Sequence, residues 1–551
     1  MRAIGGVLGL AAIAAGLLVS GLSPAPIQFQ DVAGQSGIRA QMRCGGPEKK
    51  WIPEANGSGA AWLDYDRDGR MDLLIVNGSN MDDLRQIVAG KVPPARPGSL
   101  YLYRNLGGGH FEDVTARAGL SNPYWGTGAA VADFNNDGYP DILVTSIGLD
   151  LLFRNNGDGT FTDVSRAAGL SSKIAWHTGA AFGDYDADGN LDFYVAGYVD
   201  LKALKLDAPA PVCRYRAIEG FCGPLGLKGE PDILYRNNGN GTFTDVTEKA
   251  GVRDTGLYHG FAVLFDDFNQ DGKIDIFVAN DSDPNYLYVN RGDGTFQEAA
   301  LPTGVAFSGD GRAQSNMGVA AGDFNNDGLL DLLTTTFSED YFPLFRQWSP
   351  GFFEDSSARA GLGAATLPWV GWACGFADFD NDGNKDLWTA NGHVYPTADI
   401  LPSTSYLQPV AVFRNQGGKF APVPGIGGKG SYRGGCTGDF NNDGRIDLLV
   451  LPIAGLPLLL ENRTESRSHW IGFELRGRAI GARIRIEHCG SAQFDTLRNG
   501  GSYLSVNDPR IHFGLGSCGK VDRVRIRWPN GRRQVLENPL TDRYLTIEAP
   551  I

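Results

Sequence analysis

The feature that most constrains this chain is a nine-residue acidic motif, Asp-x-[Asp/Asn]-x-Asp-Gly-x-x-Asp, that occurs seven times. Each copy runs straight into an apolar stretch: DYDRDGRMDLLIV from Asp64, DFNNDGYPDILV from Asp133, DYDADGNLDFYV from Asp184 and DFNQDGKIDIFV from Asp267. DFNNDGLLDLLT follows from Asp323, DFDNDGNKDLWT from Asp378 and DFNNDGRIDLLV from Asp439. Successive copies start between 51 and 83 residues apart. Such regularity makes the chain an array of like units, each buried against its neighbours.

A second pattern lies between the acidic loops. LLFRNNGDGTFTDVSRAAGL (151–170) matches ILYRNNGNGTFTDVTEKAGV (233–252), YLYVNRGDGTFQEAALPTGV (286–305) and YLYRNLGGGHFEDVTARAGL (101–120). Each reads as a strand, a Gly-rich tight turn and a second strand. A further strand, such as GTGAAVA (126–132), precedes each acidic loop. One unit thus holds four strands: A before the loop, B after it, C through Tyr/Phe-Arg-Asn, and D through Phe-x-Asp-Val. The 76 glycines among 551 residues serve these turns. The expectation is an all-β chain whose repeats form a seven-bladed β-propeller, with a linear solenoid as the competing architecture. The ends favour closure. IQFQDVAGQSGI (27–38) is a D-type strand without a preceding C, and PLLLENR (457–463) is a C-type strand without a following D. Joined, they complete the seventh blade and leave no open edge.

Residues 1–25 have the layout of a secretory signal peptide: one Arg, an apolar run, then small residues. Export suits the seven cysteines, for which the expected pairs are Cys213–Cys222 and Cys489–Cys518. The propeller is placed at 26–462 and a small β-rich domain at 463–551. A net charge of −14 argues against a general nucleic-acid binder. The C-terminal segment departs from it, with 15 Lys+Arg against 9 Asp+Glu. Docking on the acidic propeller and binding of an acidic partner are both open roles for it.

The acidic loops resemble the FG-GAP/VCBS calcium repeats of integrin-type propellers. GARIRIEHCG (481–490), RNGGSYLSVNDPRIHFGLG (498–516) and VDRVRIRWPNGRRQVLENP (521–539) resemble the ASPIC/UnbV domain. The pair, over 27–548, is similar to the CRTAC1-like family of secreted proteins, which implies the fold and leaves function largely open.

Carboxylates at positions 1, 3, 5 and 9 of a tight turn present hard oxygens, the donors that calcium takes. The candidate metal ligands are Asp64, Asp66, Asp68 and Asp72; Asp133, Asn135, Asp137 and Asp141; and Asp184, Asp186, Asp188 and Asp192. They continue with Asp267, Asn269, Asp271 and Asp275, then Asp323, Asn325, Asp327 and Asp331. The last two sets are Asp378, Asp380, Asp382 and Asp386, and Asp439, Asn441, Asp443 and Asp447. Up to seven Ca²⁺ would cancel the formal −14. Their role would be mainly structural, since each loop otherwise gathers like charges.

Strand direction alternates, so acidic A–B loops and tight C–D turns share one face, the bottom. The long insertions 78–100, 197–231, 303–316 and 391–410 fall on the other, the top, and mark it as the working face. By the resemblance, strand A is innermost and its first residues ring the top of the channel. Trp125, Trp176, His177, His259, Met317, Trp372 and Arg433 are the ligand-binding candidates there. The leading functional expectation is an exported binding or adhesion module for an unknown ligand, glycan or protein, with no membrane contact beyond the signal segment. The alternative is a calcium-dependent enzyme of lyase or cyclase type with His177 or His259 as acid/base. Arg291-Gly292-Asp293 sits at a C–D turn position and is read as a turn.

Overall fold

The computed structural model describes residues 26–550; the expected signal peptide, residues 1–25, lies outside the described residues. Among the described residues no helix is long and apolar enough to cross a membrane. The chain is all-β, with the strands of each repeat in an antiparallel A-B-C-D order, as in Ala60–Leu63, Asp72–Val76, Leu100–Gly107 and His110–Asp113. The fold is propeller-like. The A strands stand side by side: Trp125–Ala132 lies against Ala60–Leu63 and Ala175–Gly183, and Tyr432–Gly438 against Gly371–Ala377 and Ala60–Leu63. The second and third repeats also share a ladder, Ala175 opposite Gly148 and Trp176 opposite Ile147.

Glycine makes this inner packing possible. A Cβ on Gly179 would stand 2.1 Å from the Phe261 carbonyl oxygen, and one on Gly318 2.1 Å from that of Trp372. Gly179 in its A strand, and Gly318 just before its own at Val319–Gly322, each face the A strand of the next repeat, so a side chain at either would push the inner strands apart.

The N-terminal strand joins the last repeat, as its sequence predicts. Phe29–Asp31 pairs antiparallel with Leu458–Asn462, Phe29 opposite Asn462 and Asp31 opposite Leu460. Val32 N–H donates to Leu459 O at 2.8 Å. Deleting 27–38 leaves Leu458–Asn462 as an unpaired apolar edge, and edges of that kind template aggregation. The expected result is a soluble full-length chain and an aggregated deletion variant on size exclusion; a monomeric deletion variant of native stability overturns it.

A set of side-chain hydrogen bonds ties each repeat to the one before. The C-strand Asn or Gln reaches the carbonyl at position 2 of the preceding acidic loop. Asn155 donates to Tyr65 O, Asn237 to Phe134 O, Asn290 to Tyr185 O and Gln347 to Phe268 O. Asn415 donates to Phe324 O and Asn462 to Phe379 O. Asn105 of the first repeat donates to Phe440 O of the last at 2.8 Å, so the set returns to its start.

Beyond 463 two further sheets face each other. One has the order Ile511–Gly516, His469–Arg476, Tyr544–Glu548. The other runs Ser491–Thr496, Arg483–His488, Arg523–Arg527, Arg533–Glu537. Ile471, Phe473, Ile484, Ile486, Phe513 and Ile526 fill the space between them. Both expected disulfides form, Cys213–Cys222 and Cys489–Cys518, while Cys44, Cys374 and Cys436 are buried thiols.

Candidate functional site

The acidic loops owe their shape to two left-handed residues. Position 6 is Gly, at φ 82° in Gly69 and 92° in Gly138, where a side chain is strained. Position 4 is left-handed as well, and Asn136, Asn326, Asn381 and Asn442 suit it. In every loop but the fourth the position 1 carboxylate then accepts two backbone N–H groups, as Asp64 does from Asp68 at 3.0 Å and Gly69 at 2.9 Å, whereas Asp267 accepts that of Gly272.

Position 9 has a second task that spacing did not reveal. Asp72 is fully buried and accepts from the backbone N–H of Tyr65 at 3.1 Å and of Asn105 at 2.7 Å, fastening the loop to strand C. The last repeat does the same through Asp447, which accepts from Phe440 and Asn462. Burial, with neighbouring carboxylates adding to it, pushes Asp72 and Asp141 up to about 8 and Asp192 to about 9, against the pull of those N–H groups.

Three loops bring carboxylate oxygens from positions 1, 3 and 9 within 4.8 Å of one another: Asp64/Asp66/Asp72, Asp184/Asp186/Asp192 and Asp378/Asp380/Asp386. These are the loops with Asp rather than Asn at position 3. One buried oxygen of Asp66 and one of Asp380 has no hydrogen-bond partner. An orphaned carboxylate oxygen inside a ring of hard donors fits a calcium ion better than it fits a closed hydrogen-bond network. A C-strand arginine leans on position 3 in each of these loops: Arg104 Nε lies 2.7 Å from Asp66 and Arg236 Nε 2.7 Å from Asp186, and Arg414 pairs with Asp380. The Tyr/Phe-Arg-Asn motif is therefore two devices, a charge for its own loop and an amide for the loop before.

The top-face ring is assembled, but its side chains are buried. Trp125, Trp176, Met317 and Trp372 share one apolar cluster, and each is at most 2% exposed. Arg433 is fully buried, its guanidinium 4.1 Å from the Trp372 ring and donating to the carbonyls of Ala55, Gly392 and Tyr432. Burial lowers its pKa to about 10, and no carboxylate among the described residues pairs with it. His177 turns to Asp150 at 2.6 Å and His259 to Asp283 at 2.7 Å, both histidines buried. Neither Nε2 has a partner, and neither histidine lines any of the cavities described below, so acid/base work on a substrate finds no support.

The insertions supply the cover. Residues 197–231 run from the helix Met81–Val88, where Arg85 donates to Leu206 O, to the 391–396 segment, where Tyr395 Oη donates to Phe221 O at 3.0 Å. Tyr215, on the disulfide-closed hairpin, packs 5.4 Å from Phe337 and 5.9 Å from Tyr395.

From the bottom the bore is filled by the C-terminal segment 498–508. Val506 and Ala61 form a parallel bridge, Gly500 and Leu264, Ser502 and Val319, and Tyr503 and Gly435 antiparallel ones. Ala129 N–H donates to Leu504 O, and Asn499 pairs with Phe182 N–H and Val131 O. Tyr503, fully buried, meets Trp372 edge to face at 4.9 Å and donates to Asn56 O at 2.9 Å. This segment satisfies donors and acceptors on the inner edges of the A strands that a bore would leave to water. The domain also sits on the acidic loops: Tyr544 Oη donates to Asp439 at 2.9 Å, Arg510 to Asp439 O at 2.6 Å, and Gly516 N–H to Asn381 O at 2.8 Å. Cavities of about 130 and 220 Å³ remain at this junction, one beside Asp378 and Arg498 and one between Asp184, Asp267 and Arg527. The basic segment thus docks on the acidic face.

Comparison with known proteins agrees with these parts. Residues 474–551 match the ASPIC and UnbV family, and 80–144, 141–195 and 267–334 match FG-GAP-like repeats. Human cartilage acidic protein 1 is 28% identical over 331 residues, 57% of this chain and 47% of the relative. The mouse protein is 25% identical over 505 residues, 87% of this chain and 62% of its own length. This chain thus spans about half to three-fifths of the relatives it matches. Among solved structures, an Agrocybe aegerita lectin described as recognising non-reducing terminal N-acetylglucosamine is 16% identical, covering 75% of this chain and 92% of its own with a TM-score of 0.38. The chain is an FG-GAP repeat protein with a C-terminal ASPIC and UnbV domain, related to cartilage acidic protein 1.

Proposed function

We propose that this protein is an exported, calcium-stabilised binding or adhesion module whose repeats close as a seven-bladed propeller. The observation that carries the calcium part is the grouping of position 1, 3 and 9 carboxylates with an orphaned oxygen. The hydrogen bonds that pass from each repeat to the one before and return through Asn105 support closure. Calcium would be held by the side chains at positions 1, 3, 5 and 9 and would neutralise the loops.

Ligand contact is assigned to the outer surface of the top insertions rather than to the buried ring. Val92, Val212, Leu225, Ile400 and Leu407 are exposed there, on three different insertions. Exposed apolar groups gathered on one face of a protein mark an interaction surface. The test presents the purified chain in calcium buffer to arrays of glycans and extracellular proteins and follows retention and product together. Retention without turnover, weakened by Val212→Ser with Ile400→Ser and not by Arg291→Ala, is the expected result. Turnover of a retained compound overturns the module reading, and equal loss in Arg291→Ala overturns the choice of face.

A further inference from the structure

The outward face of the second C-terminal sheet carries an arginine array of which docking on the acidic loops uses only one edge, where Arg483 donates to Gly328 O and Arg527 approaches Asp267. Its inward positions, Ile484, Ile486, Val524 and Ile526, supply the core, so the alternating outward positions need only be soluble. Six of the nine outward positions on Arg483–His488, Arg523–Arg527 and Arg533–Glu537 are arginine. Register sets them against one another: Arg483 faces Arg527, which faces Arg533, and Arg485 faces Arg525. Like charges directly opposite on neighbouring strands are destabilising. Local compensation is partial. Arg527 lies 3.6 Å from Asp267 of the fourth acidic loop, Arg525 3.0 Å from Glu487, and Arg523 2.8 Å from Glu537. Arg485 and Arg533 are exposed, and among the described residues neither is ion-paired at contact distance, although Arg485 lies close enough to Glu487 to lower its pKa.

We propose that this arginine face binds an extended anionic polysaccharide, taking its sulfate or carboxylate groups in guanidinium forks. Guanidinium groups match such oxyanions with two parallel hydrogen bonds, and the all-arginine choice, without lysine, is the choice for forked recognition. Rows lie about 4.8 Å apart across strands and about 6.8 Å apart along them, a strip the width of one extended chain. A nucleic acid fits less well. The face offers no exposed aromatic ring for base stacking, since Phe494 is buried beneath the Arg483 guanidinium at 3.9 Å, and the rest of the chain is acidic. The charge of the strip is the exception in a protein of net −14, and an anionic polymer is its electrostatic complement.

The inference rests on the binding-module reading and gives that module a second, distinct surface. The full chain in calcium buffer is passed over immobilised dextran sulfate, polyuronate and uncharged dextran at rising salt, with single-stranded DNA and anionic phospholipid vesicles as competitors. Binding to the two anionic polymers, steeply weakened by salt and absent on dextran, is expected. Arg485→Ser with Arg525→Ser should lower affinity roughly tenfold or more at fixed salt. Arg533→Ser alone should lower it several-fold, and Arg166→Ser with Arg291→Ser, the same charge change elsewhere, should not. An unbound wild-type chain, equal loss in both double variants, or DNA or vesicles competing as well as the polysaccharide would each overturn the assignment. Arg485→Lys with Arg525→Lys keeps the charge and loses the fork, and wild-type affinity in that variant would overturn the forked contact. A ligand retained on the top insertions while these variants behave as wild type would leave the module reading intact and sink this one.

Discussion

Tyr503→Ala is expected to lower stability more than any single change in the acidic loops, by about 3–5 kcal/mol, the usual cost of emptying a buried aromatic site. Tyr503 is fully buried at the centre of the propeller-like fold, 4.9 Å from Trp372 and 5.4 Å from Phe261. Its loss removes the hydrogen bond to Asn56 O and the packing beneath Trp372, which in turn supports the buried Arg433 guanidinium. The segment around it is held against its own preference. Ser502 and Leu504 have φ 53° and 54°, left-handed values that cost non-glycine residues of order 1 kcal/mol or more each. Bridges and hydrogen bonds to the A strands hold them there, so a cavity at 503 should release the segment and loosen the C-terminal sheets from the acidic face together. The check is a thermal melt with limited proteolysis. A variant that melts as wild type, with no new cleavage between 498 and 510, would show that the filled bore adds nothing to stability. Trp372→Ala and Arg433→Ala belong to the same group. The structure places both in the core, so each should cost stability as well.

What the sequence made legible is what repeats. Seven copies gave the strand order, the acidic turns and the face on which they lie, and the unmatched D strand at 27–38 gave its partner at 458–462. Proximity in sequence gave Cys213–Cys222, nine residues apart. The C-strand Asn was visible as a motif, but its role was not, because its acceptor belongs to the preceding repeat, 90 residues away for Asn155 and Tyr65. The filling of the bore was hidden for a similar reason. Residues 498–508 carry no periodicity, and their partners lie far back in the chain, 447 residues for Tyr503 and Asn56. The polarity of the top ring misled. Trp, His and Arg are interface residue types, yet here Arg433 is consumed by backbone carbonyls and the two histidines by Asp150 and Asp283. Nothing local to the A strands reveals that 197–231 crosses above them.

Removing calcium should produce the other large effect, and its pH dependence should carry the signature of the loops. On the calcium reading each bound ion adds RT ln(1 + [L]/Kd) to stability, close to 3 kcal/mol per site at a hundredfold excess over Kd. Several sites together should move the melting point by many degrees between chelator and millimolar calcium. The sign with pH separates this from general salt stabilisation. In the metal-free fold Asp72 and Asp141 are raised to about 8 and Asp192 to about 9, above the ordinary value near 3.9 of an unfolded chain. Between about pH 4 and pH 8 the folded chain therefore holds protons that the unfolded chain has released, so metal-free stability falls as pH rises across that window. With calcium the order reverses, because the ion binds the ionised carboxylates and competes with protons for them. The melting point should then rise with pH over the same range. Asp380→Asn should weaken calcium binding more than Asn135→Ala, since it deletes a charged donor from a buried group of three. Melting curves in chelator and in calcium at pH 5 and pH 8 decide the matter. Equal curves with and without the ion at pH 8 would refute the metal reading, and parallel pH slopes in both conditions would refute the role given to the position 9 carboxylates.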